Sequence, residues 1–320
     1  CGAALAPIAQ ALKAQLLQAQ VLHADESPIT ILARKGEKTR GYIWAYATGA
    51  HETVDAVVYQ IKPGRSGQHA KDFLQFERPR RRIDQQVDDP PSSKRWSGHL
   101  VVDDYGGYKA LFVPDASASK EAGLDGSIIE VGCWAHVRRK FFELHVAAKS
   151  SLAEVALAHI GELYGVERAI HDEGLDVKLA TVRRRQESKP RLLALHAWLL
   201  AQRERVTDGT GTAKAMDYCL KRWSALMRYA DDGRLPMDNN RIENQIRPWA
   251  VGRKNWLFSG SLAAGARAAD IMSLIQTAKM NGIEPLAYLT DVLTRLPTHP
   301  NSRIEELLPT RWRPQTDPRQ

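Results

Sequence analysis

Cysteine is scarce in this 320-residue chain. The three present, Cys1, Cys133 and Cys219, are unevenly spaced and make no CxxC pair. That excludes a disulfide framework and fits a reducing cytoplasm. Cys133 and His136 have half of a zinc-like spacing, but no second Cys or His pair follows at short range, which argues against structural zinc. No apolar run approaches the ~20 residues a membrane span requires, so no membrane partner is expected. Internal repeats and low-complexity tracts are absent. Ser259-Gly260-Ser261 and Gly265 do not form a phosphate-binding Walker pattern, and no Ser/His/Asp set stands in a recognisable context. A signal peptide is lacking and the first residue is Cys1 rather than Met; the expectation is a fragment whose upstream N-terminal portion is missing.

What is present is the composition of a soluble globular protein, 43% hydrophobic and 26% charged, long enough for one large domain or two ordinary ones. The net charge of +8 favours a polyanionic partner.

The first third of the chain carries the strand signals. A helix over Ala3 to Ala19 leads into Gln20 to Asp25, a strand ending on a carboxylate, with extended structure resuming at Thr30 to Leu32. Gly41 to Ala47 and Thr53 to Ile61 are further strands, rich in aromatic and β-branched residues. Short links make the three an antiparallel meander. A helix over Ala70 to Phe76 and a basic, proline-containing surface loop from Arg78 to Arg95 follow. Leu100 to Asp103 is a fourth strand, again ending on a carboxylate. Tyr105 to Phe112 is a helix and Ser127 to Gly132 a fifth strand. Residues 134 to 235 read as helices. This is the element order of the ribonuclease H-like fold, although order alone does not establish function.

Pro236 and a capping Asp238 or Asn239 open a short helix, which Pro248 is expected to stop. Ile242, Ile246 and Trp249 share its apolar face; Asn240, Glu243, Asn244 and Arg247 share its polar face. That stripe suits a metal or phosphate site, or a solvated face with a Glu243–Arg247 pair. Asp25 and Asp103 end strands, and clustered carboxylates are kept mainly where a cation compensates them. Hard oxygen ligands suit Mg²⁺ or Mn²⁺, and two such ions support phosphodiester chemistry. Strand period leaves Asp25 against Glu26, and Asp103 against Asp104, open.

Six stretches together resemble the transposases of insertion sequence family 66, over nearly the whole chain. They are His23-Ala24-Asp25-Glu26-Ser27-Pro28; Val102-Asp103-Asp104-Tyr105-Gly106-Gly107-Tyr108; Val131 to Phe141, with Cys133-Trp134-Ala135-His136; Asp238 to Asn244; Val251-Gly252-Arg253-Lys254-Asn255-Trp256-Leu257-Phe258; and Leu274 to Gly282. The resemblance implies an α/β, ribonuclease H-like mixed sheet with a large helical insertion and a helical C-terminal segment. The boundaries would be 1–133 for the first part of the core, 134–235 for the insertion, 236–282 for the catalytic helix and remainder of the core, and 283–320 for the C-terminal segment. It implies a DDE triad of Asp25, Asp103 and Glu243, all metal ligands for Mg²⁺ or Mn²⁺, in two ions. The triad would hydrolyse phosphodiesters at element ends and transfer strands to target DNA.

Asp103 is preferred to Asp104 because the family usually has a small residue at the latter position; the acid there is a departure. So is Asn244, where members commonly carry Arg. The CxxH segment resembles a signature of related DDE families, in which His136 contacts DNA or orients a ligand; the plainer alternative is a buried helix start with Trp134 in the core. Arg138, Arg139, Lys140, Arg247, Arg253, Lys254 and Trp256 are candidate DNA contacts, or surface charges flanking core residues. Implied partners are DNA, further copies of the chain on DNA, and accessory transposition proteins, in the cytoplasm at the nucleoid. Two rivals are a non-catalytic DNA-binding relic and a carboxylate-pair hydrolase.

Overall fold

A computed structural model of the protein describes residues 2–32, 36–77, 93–112 and 127–314. In chain order its elements are α1 (Gly2–Leu16), β1 (Val21–Leu32), β2 (Lys38–Thr48), β3 (Val57–Lys62), α2 (Gly67–Leu74), β4 (Gln75–Glu77), β5 (Ser93–Arg95), β6 (Gly98–Val102) and β7 (Ile128–Gly132). Nine α-helices of the described residues follow: α3 (Trp134–Ala148), α4 (Ser151–Asp172), α5 (Val177–Arg183), α6 (Lys189–Arg203), α7 (Gly211–Lys221), α8 (Trp223–Met227), α9 (Asn240–Trp256), α10 (Leu262–Met280) and α11 (Pro285–Arg295). Five strands form one mixed sheet in the order β3-β2-β1-β6-β7; β4 and β5 pair separately. The chain divides into two compact units, one of residues 1–98, 105–129 and 241–320, the other of residues 99–104 and 130–240.

In the first unit β1, β2 and β3 are an antiparallel meander, as their short links require. Alternation sorts their side chains. Ile29, Ile31, Ile43, Ala45, Ala47, Tyr59 and Ile61 form one face, covered by Ile242, Ile246 and Trp249 of α9 and Ala269 of α10. Trp44 and Tyr46 lie on the other, where Tyr46 stacks on Phe73 of α2 with ring centroids 3.6 Å apart. The outer edge of β3 would expose unpaired backbone groups. α10 covers it: Tyr59 N–H donates to Ser273 Oγ (2.9 Å) and Val57 N–H to Thr277 Oγ1 (3.1 Å). The C-terminal segment closes on the same unit, with Tyr288 Oη donating to the Leu307 carbonyl (2.7 Å) and Thr310 to Gln15 of α1 (2.7 Å).

The second unit is helical beyond its strand segments. Trp134 is fully buried and its indole donates to the Leu226 carbonyl at 2.9 Å. Arg184, buried at the start of the π-helical turn Arg184–Ser188, meets Glu167 with two hydrogen bonds and the carbonyls of Tyr229, Asp232 and Leu235 with Nη1, holding the turn ahead of α9.

Several expectations are corrected. β1 does not end at Asp25; it continues unbroken to Leu32 because every residue from Leu22 onward stays in register with β2, Pro28 opposite Tyr42. α9 does not stop near Pro248 but runs to Trp256, with Pro248 inside it. The missing N–H forfeits one helical bond, and burial of Ile246 and Trp249 on either side of it compensates. The third strand begins at Val57 rather than Thr53, and the segment after Tyr105 is a 3₁₀ helix over Gly106–Leu111. Most of the expected basic loop, residues 78–92, lies outside the described residues; its end, Ser93–Arg95, is a strand.

Candidate active site and nucleic-acid-binding residues

Asp25 pairs across the ladder with Ala45. Directly opposed residues of an antiparallel pair point to the same face, so the Asp25 carboxyl belongs to the face covered by α9. The carboxyl is half-buried, and its Oδ1 accepts the Glu26 backbone N–H at 2.8 Å, which orients it. Glu243 is half-buried on α9, next to Ile242, which packs on that same face. One unit therefore brings Asp25 and Glu243 to the same side of the sheet. Both offer hard oxygen donors in a partly desolvated setting, the chemistry a divalent ion selects.

Glu26 points to the opposite face. Its side chain is wholly buried; Oε1 accepts from Arg65 Nε at 2.7 Å and Oε2 from Tyr108 Oη at 2.7 Å. Burial, and then the charge of Glu26, drive the Tyr108 hydroxyl well above its usual pKa, so it stays a donor. Glu26 is thus paired with Arg65 and Tyr108 on the face opposite Asp25.

Asp103 follows directly on β6 and is half-buried. Asp104 has a different occupation within the same unit. Its Oδ1 accepts from Arg222 Nη1 at 2.7 Å, while Arg222 Nη2 meets Glu130 Oε1 at 2.7 Å. Arg222 is buried, and its carboxylate neighbours hold its pKa up against the opposing pull of burial.

The CxxH segment is compact. Cys133 precedes α3, its Sγ accepts the Asn239 N–H at 3.2 Å, and His136 Nδ1 lies 3.2 Å from it. Trp134 N–H donates to the Met237 carbonyl at 3.1 Å. The segment thereby anchors the residues that lead into α9, and Asp238 caps that helix by accepting the Asn240 N–H at 3.0 Å.

The basic candidates separate by environment. Arg138, Arg139 and Lys140 are exposed on α3, with the Lys140 ammonium 4.4 Å from the centre of the Tyr218 ring. Arg247 and Lys254 are exposed on α9. Arg253 instead donates to Ser27 Oγ and the Pro28 carbonyl, a structural use. Trp256 is 38% exposed and packs edge-to-face on Trp249. Residues not anticipated from sequence are Arg65, Tyr108 and Arg222, which fix acids beside the candidates, and Phe142, Tyr164 and Arg168, which share a cleft with Arg138 and Arg139. Arg168 and Tyr164 stand at i and i−4 on one helix, a periodic signal that does not say which helix they face.

Comparison with known proteins adds the following. Residues 1–267 match the family described as "Transposase IS66 family", and residues 273–310 match "IS66 C-terminal element". Two relatives from Sinorhizobium fredii are similar along nearly the whole chain. "Uncharacterized protein y4hP" is 32% identical over 97% of this chain and 54% of its own length. "Uncharacterized protein y4qI" is 31% identical over 98% of this chain and 54% of its own. The chain thus spans about half the length of these curated relatives. No solved structure matches it. No helix of the described residues is long and apolar enough to cross a membrane.

Proposed function

Because the chain belongs to the IS66 transposase family, we propose that it is the catalytic portion of a DDE transposase with a ribonuclease H-like core. It would cleave phosphodiesters at the ends of a DNA element and join the freed ends to target DNA. The observation that carries the reading is the placement of Asp25 on the helix-covered face of the sheet, the side on which α9 presents Glu243, while Glu26 is turned away and consumed by Arg65 and Tyr108. The element order supports the same core.

Asp25, Asp103 and Glu243 would hold Mg²⁺ or Mn²⁺, which would supply Lewis-acid charge for phosphodiester chemistry. The chain's own part is to orient these carboxyls. The Glu26 N–H fixes Asp25, the end of β6 carries Asp103, and the seating of Ile242 and Ile246 sets Glu243. Exposed Arg247 and Lys254 would meet phosphates, and His136 would contact or orient DNA. The working form would be a homo-oligomer on paired element ends, helped by accessory transposition proteins at the nucleoid. The four-part division proposed from sequence, with residues 134–235 as an insertion, goes with this reading.

The test is strand cleavage of element-end DNA by the intact protein with Mg²⁺ or Mn²⁺. Glu243→Gln should lower cleavage by about 10³-fold or more, as loss of a charge acting on the transition state does, while DNA affinity and melting temperature hold. Full cleavage by that variant overturns the assignment, and absence of cleavage by the wild type with DNA binding intact would leave a non-catalytic relic.

A further inference from the structure

The helical unit contains a cleft that the catalytic reading does not use. It lies beside α3 and α4, has a volume of about 620 Å³, and is lined by Arg138, Arg139 and Phe142 of α3 and by Gly161, Tyr164 and Arg168 of α4. On α3, residues 138 and 142 share a face; on α4, residues 161, 164 and 168 do. Arg138, Arg168 and Phe142 are exposed, Phe142 to 47%. The Arg138 guanidinium sits 5.8 Å from the Phe142 ring centre.

Two arginines elsewhere in the same unit show what a structural role looks like. Arg184 is matched by Glu167, and Arg222 by Asp104 and Glu130. Among the described residues, neither Arg138 nor Arg168 pairs with a carboxylate. Of the nearby acids, Asp238 stands at the cleft wall, bonded to two lining residues, and Glu162 meets an arginine outside it. Asp238 accepts from the Tyr164 hydroxyl (3.1 Å) and the Asn240 amide (2.8 Å). Glu162 lies 3.7 Å from Arg191. Asp238 alone is fewer charges than Arg138 and Arg168 together, so this wall is net positive and attracts an anion. An exposed aromatic ring on the same wall adds a stacking platform that an isolated phosphate would not use.

We infer that this cleft binds a DNA strand, its phosphates on Arg138 and Arg168 and one unpaired base stacked on Phe142. Identifying the polyanion as DNA rests on the function proposed above. The expected preference is for single-stranded or frayed DNA over duplex, because a paired base offers no free face to Phe142.

Fluorescence anisotropy of the intact protein with a labelled single-stranded oligonucleotide and with its duplex, across salt, tests this. The Arg138→Ala/Arg168→Ala double variant should lose single-strand affinity about 10-fold or more and reduce the log–log salt slope by about 1.4, at ~0.7 per phosphate. Phe142→Ala should lose about 5- to 100-fold on the single strand, with salt slope and duplex affinity kept. Gly161→Glu guards against misfolding: a Cβ at Gly161 meets nothing within 4 Å, so the carboxylate enters the cleft without disturbing packing, and affinity should fall as in the double variant. Single-strand binding unchanged in Gly161→Glu overturns the inference. So does an equal loss on duplex and single strand in Phe142→Ala. If cleavage collapses in Glu243→Gln while the cleft variants bind normally, this inference alone fails. If the cleft variants lose binding while Glu243→Gln cleaves fully, the catalytic reading alone fails.

Discussion

Arg253 Nη1 donates to the Pro28 carbonyl at 2.6 Å and to Ser27 Oγ at 3.0 Å, tying the last turn of α9 to β1 just beyond Asp25. Hydrogen bonds from a charged donor contribute about 1.5–3 kcal/mol each. Arg253→Ala should therefore lower stability by about 2–3 kcal/mol in denaturant melts, and leave the salt dependence of DNA binding unchanged. A salt slope reduced by about 0.9 with stability intact would show that Arg253 grips a phosphate instead.

Asp104 gives a second separation of structure from chemistry. Its partner Arg222 is buried and keeps Glu130 when Asp104 is neutralised. Asp104→Asn should cost about 1–3 kcal/mol and leave metal-dependent cleavage within about threefold of wild type well below the melting temperature, because the Asp104 carboxylate is taken up by Arg222. Asp103→Asn should abolish cleavage. The reverse pattern would move the triad by one position.

Much of the architecture was legible. Alternating β-branched and aromatic residues marked β2, β3 and β7, and Asp103 does stand at the end of β6. Two of the failures lie at prolines. Pro28 and Pro248 are local break signals, yet each lies within a continuous element because long-range packing outweighs a missing N–H: β2 lines the whole of β1, and the sheet seats α9 on both sides of Pro248. Strand period stated correctly that Asp25 and Glu26 face opposite ways. Deciding which face α9 covers needed contacts between residues some 200 positions apart, such as Arg241 with the Thr48 carbonyl. Arg168 was invisible as a candidate for the same reason: its significance comes from Arg138 on a different helix.

Pro248 also yields a stability prediction. An interior helical proline costs about 3 kcal/mol, and its restriction of the unfolded chain returns about 0.4–1 kcal/mol. Pro248→Ala should restore the helical bond to Asn244 and stabilise by about 2–2.6 kcal/mol, a rise of several degrees in melting temperature. An unchanged or lower melting temperature would mean that the proline shapes α9 in a way the sheet requires.

Half-burial in α10 raises the Asp270 carboxyl above its usual pKa. A raised folded-state pKa favours the protonated acid, so the associated stability is complete below the unfolded value near 3.9 and is lost as pH rises through the folded value. Asp270→Asn removes that loss. The variant should match wild type near pH 3.5 and melt about 1–3 °C higher at pH 7, a small gain because the group is half solvated. A variant less stable at pH 7 would reveal a favourable partner for the carboxylate.

The Glu26 cluster tests whether a buried anion beside the candidate site is structural. Tyr108→Phe removes one of the donors to a wholly buried carboxylate and leaves that charge to Arg65, which should cost about 1–3 kcal/mol. Glu26→Gln keeps the volume but removes the charge that Arg65 and Tyr108 meet, at a similar cost. Because the two side chains share one hydrogen bond, the double variant should be less destabilised than the sum, with a coupling of about 0.5–3 kcal/mol. Cleavage supplies the decisive readout. If Glu26 serves only to hold β1 and the turn carrying Tyr108, Glu26→Gln retains metal-dependent cleavage at a temperature where it is folded, and its metal requirement is unchanged. Asp25→Asn, at comparable stability, should lose cleavage altogether. A Glu26→Gln enzyme that needs far more Mg²⁺ than wild type would make Glu26 a metal ligand and require β1 to turn its other face toward α9.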